Sequence, residues 1–108
     1  MSKIVYIASP YTIGDPIENV RRQIDTAEEL VKIGLHPRIP LLVHYWHEIY
    51  EHSWEFWMKM GFDEVTRSDA VLRLEGESRG ADLEIELANS LGLPVFYNLD
   101  EIEIWAEL

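Results

Sequence analysis

Short, almost purely apolar runs alternate along this chain with segments that have the periodicity of an amphipathic helix. The apolar runs cover residues 3–8, 35–43, 70–74 and 94–97. Such runs, without polar alternation, are typical of parallel strands covered on both faces. Strands that alternate with helices predict an α/β fold, an open parallel sheet with helices on both faces. The segment 100–108 fits a closing helix or one further strand, so we expect a sheet of 4–5 strands.

The first helical segment has clear start and stop signals. Asp15 is a good N-cap residue, and Pro16 suits the first helical position. Gly34 is the expected stop. The next apolar run contains Pro37 and Pro40, which cannot donate hydrogen bonds to a neighbouring strand. This run is therefore predicted to be a short strand or an edge strand.

The composition excludes several classes of protein. The length of 108 residues and the hydrophobic content of 47% predict a single folded domain over residues 1–108. The absence of cysteine excludes disulfides and thiolate chemistry, and it fits a cytoplasmic location. No apolar run approaches the roughly 20 residues that span a bilayer, and the N-terminal residues lack a signal-peptide pattern, so no membrane association is expected. The net charge of -11 repels phosphates, so binding to a nucleic-acid polymer is not expected either.

The strand order along the chain predicts where a ligand binds. In open parallel sheets, ligands bind beyond the carboxyl ends of the strands. Those ends are followed here by residues 9–14, by His44 and the residues after it, by residues 75–80 and by Asn98. We therefore expect these four segments to converge on one site.

Glu84 occupies an unusual position in the helical pattern of residues 81–91. On a helical wheel it lies in the middle of an apolar arc, away from the other polar residues. A buried ionised carboxylate is costly unless it is paired or protonated. One interpretation is that Glu84 pairs with an arginine such as Arg73 at the edge of the core. The other is that Glu84 is a catalytic carboxylate beside a ligand site, near the start of its helix.

Four segments of the chain carry a family resemblance. They are residues 6–11, 68–74, 76–88 and 92–95, with the sequences YIASPY, SDAVLRL, GESRGADLEIELA and GLPV. Together they resemble the nucleoside 2-deoxyribosyltransferase-like superfamily, which also contains 2′-deoxynucleoside 5′-phosphate N-hydrolases and many small bacterial and phage proteins. The resemblance implies a three-layer, flavodoxin-like (Rossmann-like) sheet. It also implies cleavage of the N-glycosidic bond of a nucleoside or nucleotide by a glutamate nucleophile.

The same resemblance implies roles for individual residues. By motif position, Glu84 is the nucleophile. Ser78 matches a serine that lies near the 5′-phosphate in the N-hydrolases, and the backbone N–H groups of Arg79 and Gly80 would complete a small anion site at the helix start. Ser78 is equally well explained as the helix N-cap.

The acid that the superfamily places in the helix before the third strand has no direct counterpart. Counting back from Asp69 reaches Gly61, and the nearest carboxylate is that of Asp63, followed by that of Glu64. We therefore predict Asp63 as the general acid, with Asp69 as the second choice.

Other residues near the strand ends are candidates for substrate contact. Ser9, Pro10 and Tyr11 follow the first strand, and His44 follows the second. A metal site is not expected, because the histidines after position 43 lack the helical spacing with an intervening glutamate that zinc enzymes use. No cofactor motif occurs in the sequence.

The aromatic segment 45–60 is too apolar for an ordinary surface helix. Trp46, Ile49, Tyr50 and Trp57 fall on one stripe if the segment is a continuous helix. Such a stripe predicts packing in the core or contact with a second copy of the chain, and less readily a wall for base stacking.

These observations predict an enzyme that cleaves or transfers an N-glycosidic bond of a (deoxy)nucleoside or nucleoside 5′-monophosphate. One alternative is a nucleotide-binding module without catalysis, which the missing acid at Gly61 favours. Another is a structural protein that binds a partner through the Trp-rich segment. The expected ligand is a small nucleoside or nucleotide, and self-association through residues 45–60 is expected.

Overall fold

A parallel sheet at the centre of the molecule positions every other element. The computed structural model describes residues 2–108. Within them, the sheet has 4 strands in the order β2-β1-β3-β4, and all neighbouring pairs are parallel. The strands are β1 (Ile4–Ala8), β2 (His36–Arg38), β3 (Ala70–Arg73) and β4 (Val95–Phe96). The predicted open parallel sheet is confirmed.

Helices cover both faces of this sheet, as the apolar strands require. Side chains alternate along β1, so Val5 joins one core cluster while Tyr6 joins the other. The Val5 face packs against α1 (Pro16–Lys32) and α5 (Leu99–Ala106). The opposite face packs against α3 (Trp54–Thr66) and α4 (Arg79–Ser90). The result is the three-layer α/β architecture expected from the sequence.

Local signals place the first helix and the second strand as predicted. The Asp15 side chain accepts a hydrogen bond of 3.0 Å from the backbone N–H of Ile17, and Pro16 is the first residue of α1. Gly34 follows the helix with φ +84, a backbone conformation that favours glycine. β2 is a short strand at the edge of the sheet, which agrees with the prolines in this segment.

Residues 40–66 differ from the prediction, which extended the second strand segment to residue 43 and made the aromatic segment after it one helix. A 3-10 turn at Pro40–Leu42 leads into α2 (Val43–Ile49), and the chain is then extended before α3 begins. Ser53 causes a new start, because its hydroxyl accepts a hydrogen bond of 3.1 Å from the N–H of Phe56. The predicted single stripe through Trp46 and Trp57 is therefore wrong. The two rings lie on different helices and meet edge to face, with their centroids 5.1 Å apart.

The C-terminal segment forms α5, so the alternative of a fifth strand is wrong. The Asn98 side chain accepts a hydrogen bond of 2.9 Å from the N–H of Glu101 and so caps this helix. No helix within residues 2–108 has the length and the apolar character needed to cross a membrane.

Candidate functional site

A cavity of about 690 Å³ opens at the carboxyl ends of β1, β2 and β3. This volume lies within the roughly 300–1,000 Å³ that is usual for small-molecule sites. Three of the four segments predicted to converge contribute to its walls, namely residues 9 and 11–13, the residues after β2 and residues 77–80. The fourth does not line the cavity, and Asn98 caps α5 instead.

Glu84 is buried in the wall of this cavity, with 7% of its surface exposed. The Tyr6 hydroxyl, which projects from β1, donates a hydrogen bond to Glu84 Oε2. Gly61 of α3 lies against the same carboxylate, since a Cβ at position 61 would be 2.5 Å from Glu84 Oε2. The carboxyl group is therefore held between the sheet and α3.

The surroundings of Glu84 raise its pKa from 4.5 to about 7. Burial is the main cause, because it penalises the charged form. The hydrogen bond from Tyr6 and the positive charge of Arg73 lower this pKa, while the negative charge of Glu64 raises it. The pKa of Tyr6 is raised as well, by burial and then by the charge of Glu84, so the phenol remains a hydrogen-bond donor. A carboxyl group with a pKa near 7 can be protonated or ionised at neutral pH.

Arg73 is not the partner that holds Glu84 in place. Its Nη2 donates hydrogen bonds of 2.9 Å to Asp82 Oδ1 and 2.9 Å to the Gly76 carbonyl, and its Nη1 donates to the Leu74 carbonyl. Arg73 thus ties the end of β3 to the loop and to the first turn of α4. The hypothesis of a direct Arg73–Glu84 ion pair is therefore wrong. Arg73 affects only the pKa of Glu84, through its positive charge.

The start of α4 forms one rim of the cavity. The Ser78 hydroxyl accepts a hydrogen bond of 3.1 Å from the N–H of Ala81, so Ser78 is the N-cap of the helix. The guanidinium carbon of Arg79 lies 4.9 Å from the ring centroid of Trp54 on α3. Ser78, Arg79 and Gly80 all line the cavity. The three candidates predicted for anion contact therefore lie together, six to four residues before Glu84.

The loop after β1 contributes two of its three candidate residues to the cavity. Ser9 is buried in the wall, and its hydroxyl accepts a hydrogen bond of 2.8 Å from Gln23 Nε2. Tyr11 also lines the cavity. Pro10 does not, and its prediction as a contact residue is corrected. Its ring packs on the far side of the loop against Gly76, where an added Cβ would lie 2.8 Å from Pro10 Cγ.

His44 lies behind the cavity wall, so its predicted role in substrate contact is corrected. It is buried, and its Nδ1 makes a hydrogen bond with the Tyr11 hydroxyl. Its Nε2 is 3.7 Å from Glu48 Oε1. His44 therefore supports Tyr11, and His47, one turn further along α2, faces the cavity. His47 Nδ1 accepts a hydrogen bond of 2.8 Å from Trp57 Nε1.

Neither carboxylate predicted as the general acid lies in the cavity. Asp69 Oδ2 accepts a hydrogen bond of 2.7 Å from the N–H of Ile4, at the amino ends of the strands and thus at the opposite edge of the sheet. Asp63 is exposed on the outer side of α3. Glu64 lines the cavity instead, because it lies one turn after Gly61 on the same face of α3. The spacing of three residues places Gly61 and Glu64 on one face of α3, so it identifies Glu64 only once Gly61 is known to face the cavity.

The aromatic segment divides between the cavity and the outer surface. Trp54, Trp57, Met58 and Met60 line the cavity. Several side chains of this segment are 44–76% exposed, namely Tyr45, Trp46, Ile49, Tyr50 and Trp54, the last of which also lines the cavity. Within residues 2–108, no group of three or more histidine, aspartate or glutamate side chains is arranged to hold a metal ion.

The comparison with known families shows which family this chain belongs to. The profile of a family described as "Domain of unknown function (DUF4406)" matches residues 3–97. The chain belongs to the DUF4406 family. No curated protein matches the sequence of this DUF4406 protein.

Solved structures show which fold the DUF4406 protein shares. It is similar to a 2-deoxyribosyltransferase from Bacillus psychrosaccharolyticus, with a TM-score of 0.66 and 21% sequence identity, over 85% of this chain and 69% of that one. It is also similar to a 2-desoxiribosyltransferase from Leishmania mexicana, with a TM-score of 0.64 and 18% identity, over 86% of this chain and 61% of that one. The DUF4406 protein therefore has the nucleoside 2-deoxyribosyltransferase-like fold that its sequence motifs predict. It spans less than two thirds of the length of the Leishmania protein.

Proposed function

We propose that this protein cleaves or transfers the N-glycosidic bond of a (deoxy)nucleoside or nucleoside 5′-monophosphate, with Glu84 as the nucleophile. The observation that carries the proposal is the buried carboxyl group of Glu84, which lies in the wall of a cavity of about 690 Å³ and is held by Tyr6. The two structural neighbours are named as deoxyribosyltransferases, which supports the same class of chemistry.

The proposed reaction has two steps. A Glu84 carboxylate oxygen forms a bond to C1′ of the sugar while the bond between C1′ and the base nitrogen breaks, and its electron pair leaves with the base. The hydrogen bond from Tyr6 fixes Oε2 and so orients the carboxylate. Water, or a second base in a transfer reaction, then attacks C1′ and releases Glu84.

The leaving base needs a proton, and Glu64 is our candidate for the donor. It lines the same cavity, and it is near enough for its charge to raise the pKa of Glu84. In the second step the same group would accept a proton from the attacking water. Glu64 replaces Asp63 and Asp69 in this role, because both of those side chains lie outside the cavity.

The start of α4 is proposed to hold the sugar or its 5′-phosphate. Ser78, Arg79 and Gly80 line the cavity, and α4 has 12 residues, so its N-terminal N–H groups carry a substantial positive partial charge. The Arg79 side chain adds a full positive charge at the same rim. These features favour an anionic substrate despite the net charge of -11.

The direct test is an assay for free base released from deoxynucleosides and their 5′-monophosphates. We expect the wild-type protein to release base and Glu84→Gln to be slower by about 10³-fold or more, the scale of losing a nucleophile. Glu86→Gln, on the exposed side of α4, is the matched control and should match the wild type. Absence of base release from every substrate, or equal rates for wild type and Glu84→Gln, would reject the proposal.

A nucleotide-binding module without catalysis is the second candidate. Gly61 occupies the position where the sequence analysis expected an acid, and this observation favours it. Such a module would be stabilised against thermal unfolding by a nucleotide that it never consumes. A thermal-shift screen followed by analysis of the recovered ligand separates binding from turnover.

Self-association through residues 45–60 stays a prediction. Exposed aromatic side chains in this segment supply apolar surface beside the cavity. The third candidate, a partner-binding protein that uses this surface, predicts that Trp54→Ala changes the sedimentation coefficient of the protein or its partner complex while Glu84→Gln does not.

A further inference from the structure

Arg38 stands at the end of β2, on the wall of the cavity, where its guanidinium group forms a long ion pair with Glu64 and makes no hydrogen bond to the protein. Among residues 2–108, its Nε is the one buried side-chain nitrogen or oxygen without a hydrogen-bond partner. Its Nη1 lies 3.8 Å from Glu64 Oε1, which is too long for a direct hydrogen bond. Nε itself is enclosed by protein, so a ligand would meet the rest of the side chain, which is 27% exposed. Arginine nitrogens in native proteins are almost always hydrogen-bonded, so a guanidinium group without a hydrogen bond at a cavity wall indicates that a ligand supplies the acceptor.

Arg38 lies on the side of the cavity where the leaving base is expected, because it is next to Glu64, the proposed proton donor, and is the register partner of Tyr6 on β1. Glu84 and residues 78–80 belong to α4, whereas Arg38 ends the edge strand β2. Apolar side chains accompany it in the wall, including Ile39 and Leu41. A flat, largely apolar ring with a few polar edge atoms suits such surroundings, and in a nucleoside that part is the base.

We propose that Arg38 recognises the base and selects bases with an oxo group at purine position 6 or pyrimidine position 4, such as hypoxanthine, guanine, uracil and thymine. This inference rests on the proposed function and names its substrate class. A guanidinium group donates hydrogen bonds and accepts none. It can therefore pair with a carbonyl oxygen, whereas an amino group in the same place would set donor against donor and leave both unsatisfied.

The same contact contributes to the reaction. When the bond between C1′ and the base breaks, electron density moves onto the base and onto its carbonyl oxygen. A guanidinium fixed beside that oxygen stabilises the developing charge, and the apolar wall strengthens the interaction by excluding water. Arg38 would then distinguish substrates in the rate of bond cleavage as well as in binding.

The test compares 2′-deoxyinosine with 2′-deoxyadenosine, which differ at position 6 of the purine by an oxo and an amino group. We expect the wild-type protein to prefer deoxyinosine in kcat/KM by about tenfold or more. Arg38→Met should reduce this ratio to near one. Arg21→Met removes the same charge from the exposed face of α1 and should retain the wild-type ratio. Comparison of the two substrates on the wild-type protein needs no variant, so a missing preference overturns the proposal even if Arg38→Met fails to fold.

Binding of the free bases keeps this inference separate from the catalytic proposal. Hypoxanthine and adenine are titrated calorimetrically into wild type, Arg38→Met and Arg21→Met. Tighter binding of hypoxanthine that depends on Arg38 supports the inference even if no substrate is turned over, in which case the catalytic proposal alone fails. Equal binding of the two bases, tighter binding of adenine, or a preference that survives in Arg38→Met overturns the role of Arg38.

Discussion

The phenol of Tyr6 in β1 donates its hydrogen bond to Oε2 of Glu84 in α4, and so links the centre of the sheet to the candidate nucleophile. Both residues are buried, with 1% and 7% of their surfaces exposed. The hydrogen bond favours the ionised form of Glu84 and opposes the larger effect of burial. Removing the Tyr6 hydroxyl should therefore change the pKa of Glu84 as well as the rate of base release.

Tyr6→Phe is expected to raise the pKa of Glu84 above about 7. Because the proposed nucleophile must be ionised to react, the rise of kcat/KM with pH should move to higher pH. The rate on the plateau should fall by roughly tenfold, the scale of a hydrogen bond to a charged group. A pH–rate profile measures both effects. Tyr97→Phe, an exposed tyrosine after β4, is the control, and an unchanged profile in Tyr6→Phe would contradict the prediction.

Glu84 should also make the stability of the protein depend on pH. Its pKa is raised from 4.5 to about 7 on folding, so between these values the native state binds more protons than the unfolded state. Its stabilising contribution is therefore complete below pH 4.5 and is lost as the pH rises through 7. The loss is about 3 kcal/mol in the free energy of unfolding.

This dependence can be measured by urea denaturation at a series of pH values from 4.5 to 8.5. The wild-type protein should lose more stability over this range than Glu84→Gln, which cannot ionise at position 84. Glu86→Gln is the control on the same helix and should behave as the wild type. Parallel curves for wild type and Glu84→Gln would show that Glu84 does not titrate as described.

Gly61 is expected to be required for the position of the Glu84 carboxyl group. A Cβ at this position would lie 2.5 Å from Glu84 Oε2 and 2.9 Å from the Tyr6 hydroxyl oxygen, so both groups must move. Glycine to alanine in a helix normally stabilises it by about 0.5–1 kcal/mol. Here we expect Gly61→Ala to destabilise the protein by about 1–3 kcal/mol, as overpacking does, and to abolish most base release.

Asp63→Ala is the control for this experiment, since it changes an exposed residue of the same helix. Thermal unfolding and the base-release assay are measured on both variants. A Gly61→Ala protein with wild-type activity and higher stability would mean that the carboxyl group of Glu84 has more room than the structure gives it.

Features that depend on neighbouring residues along the chain could be predicted from the sequence. The start of α1 follows from Asp15 and Pro16, and the short edge strand β2 follows from its prolines. Glu84 was identifiable because it interrupts the apolar face of its own helix. The position of its hydrogen-bond donor was not, since nothing in the apolar run around Tyr6 indicates which side chain reaches α4.

Features that depend on how a helix lies on the sheet could not be predicted in the same way. One residue along a helix corresponds to about 100° of rotation, so Asp63 and Glu64 face different surroundings, and the sequence does not say which faces the cavity. The same rotation explains why His47 lines the cavity whereas His44, the predicted contact residue, does not. The break before α3 is not predicted by the sequence, because Ser53, the N-cap of the new helix, is a weak signal among aromatic residues.

The adjacent carboxylates of α3 give the sharpest test of the site. Glu64→Gln should lower kcat/KM by about 10²–10⁴-fold, the usual contribution of a general acid–base group. Asp63→Asn makes the same chemical change one residue earlier, on the exposed side, and should have no effect.

Glu64→Gln should also lower the pKa of Glu84, because the negative charge of Glu64 raises it. The rise of the pH–rate profile should therefore move to lower pH, opposite to the shift in Tyr6→Phe. A loss of rate in Glu64→Gln without this shift would show that the charge of Glu64 does not affect the pKa of Glu84. A loss of rate in Asp63→Asn instead would show that α3 presents its other face to the substrate.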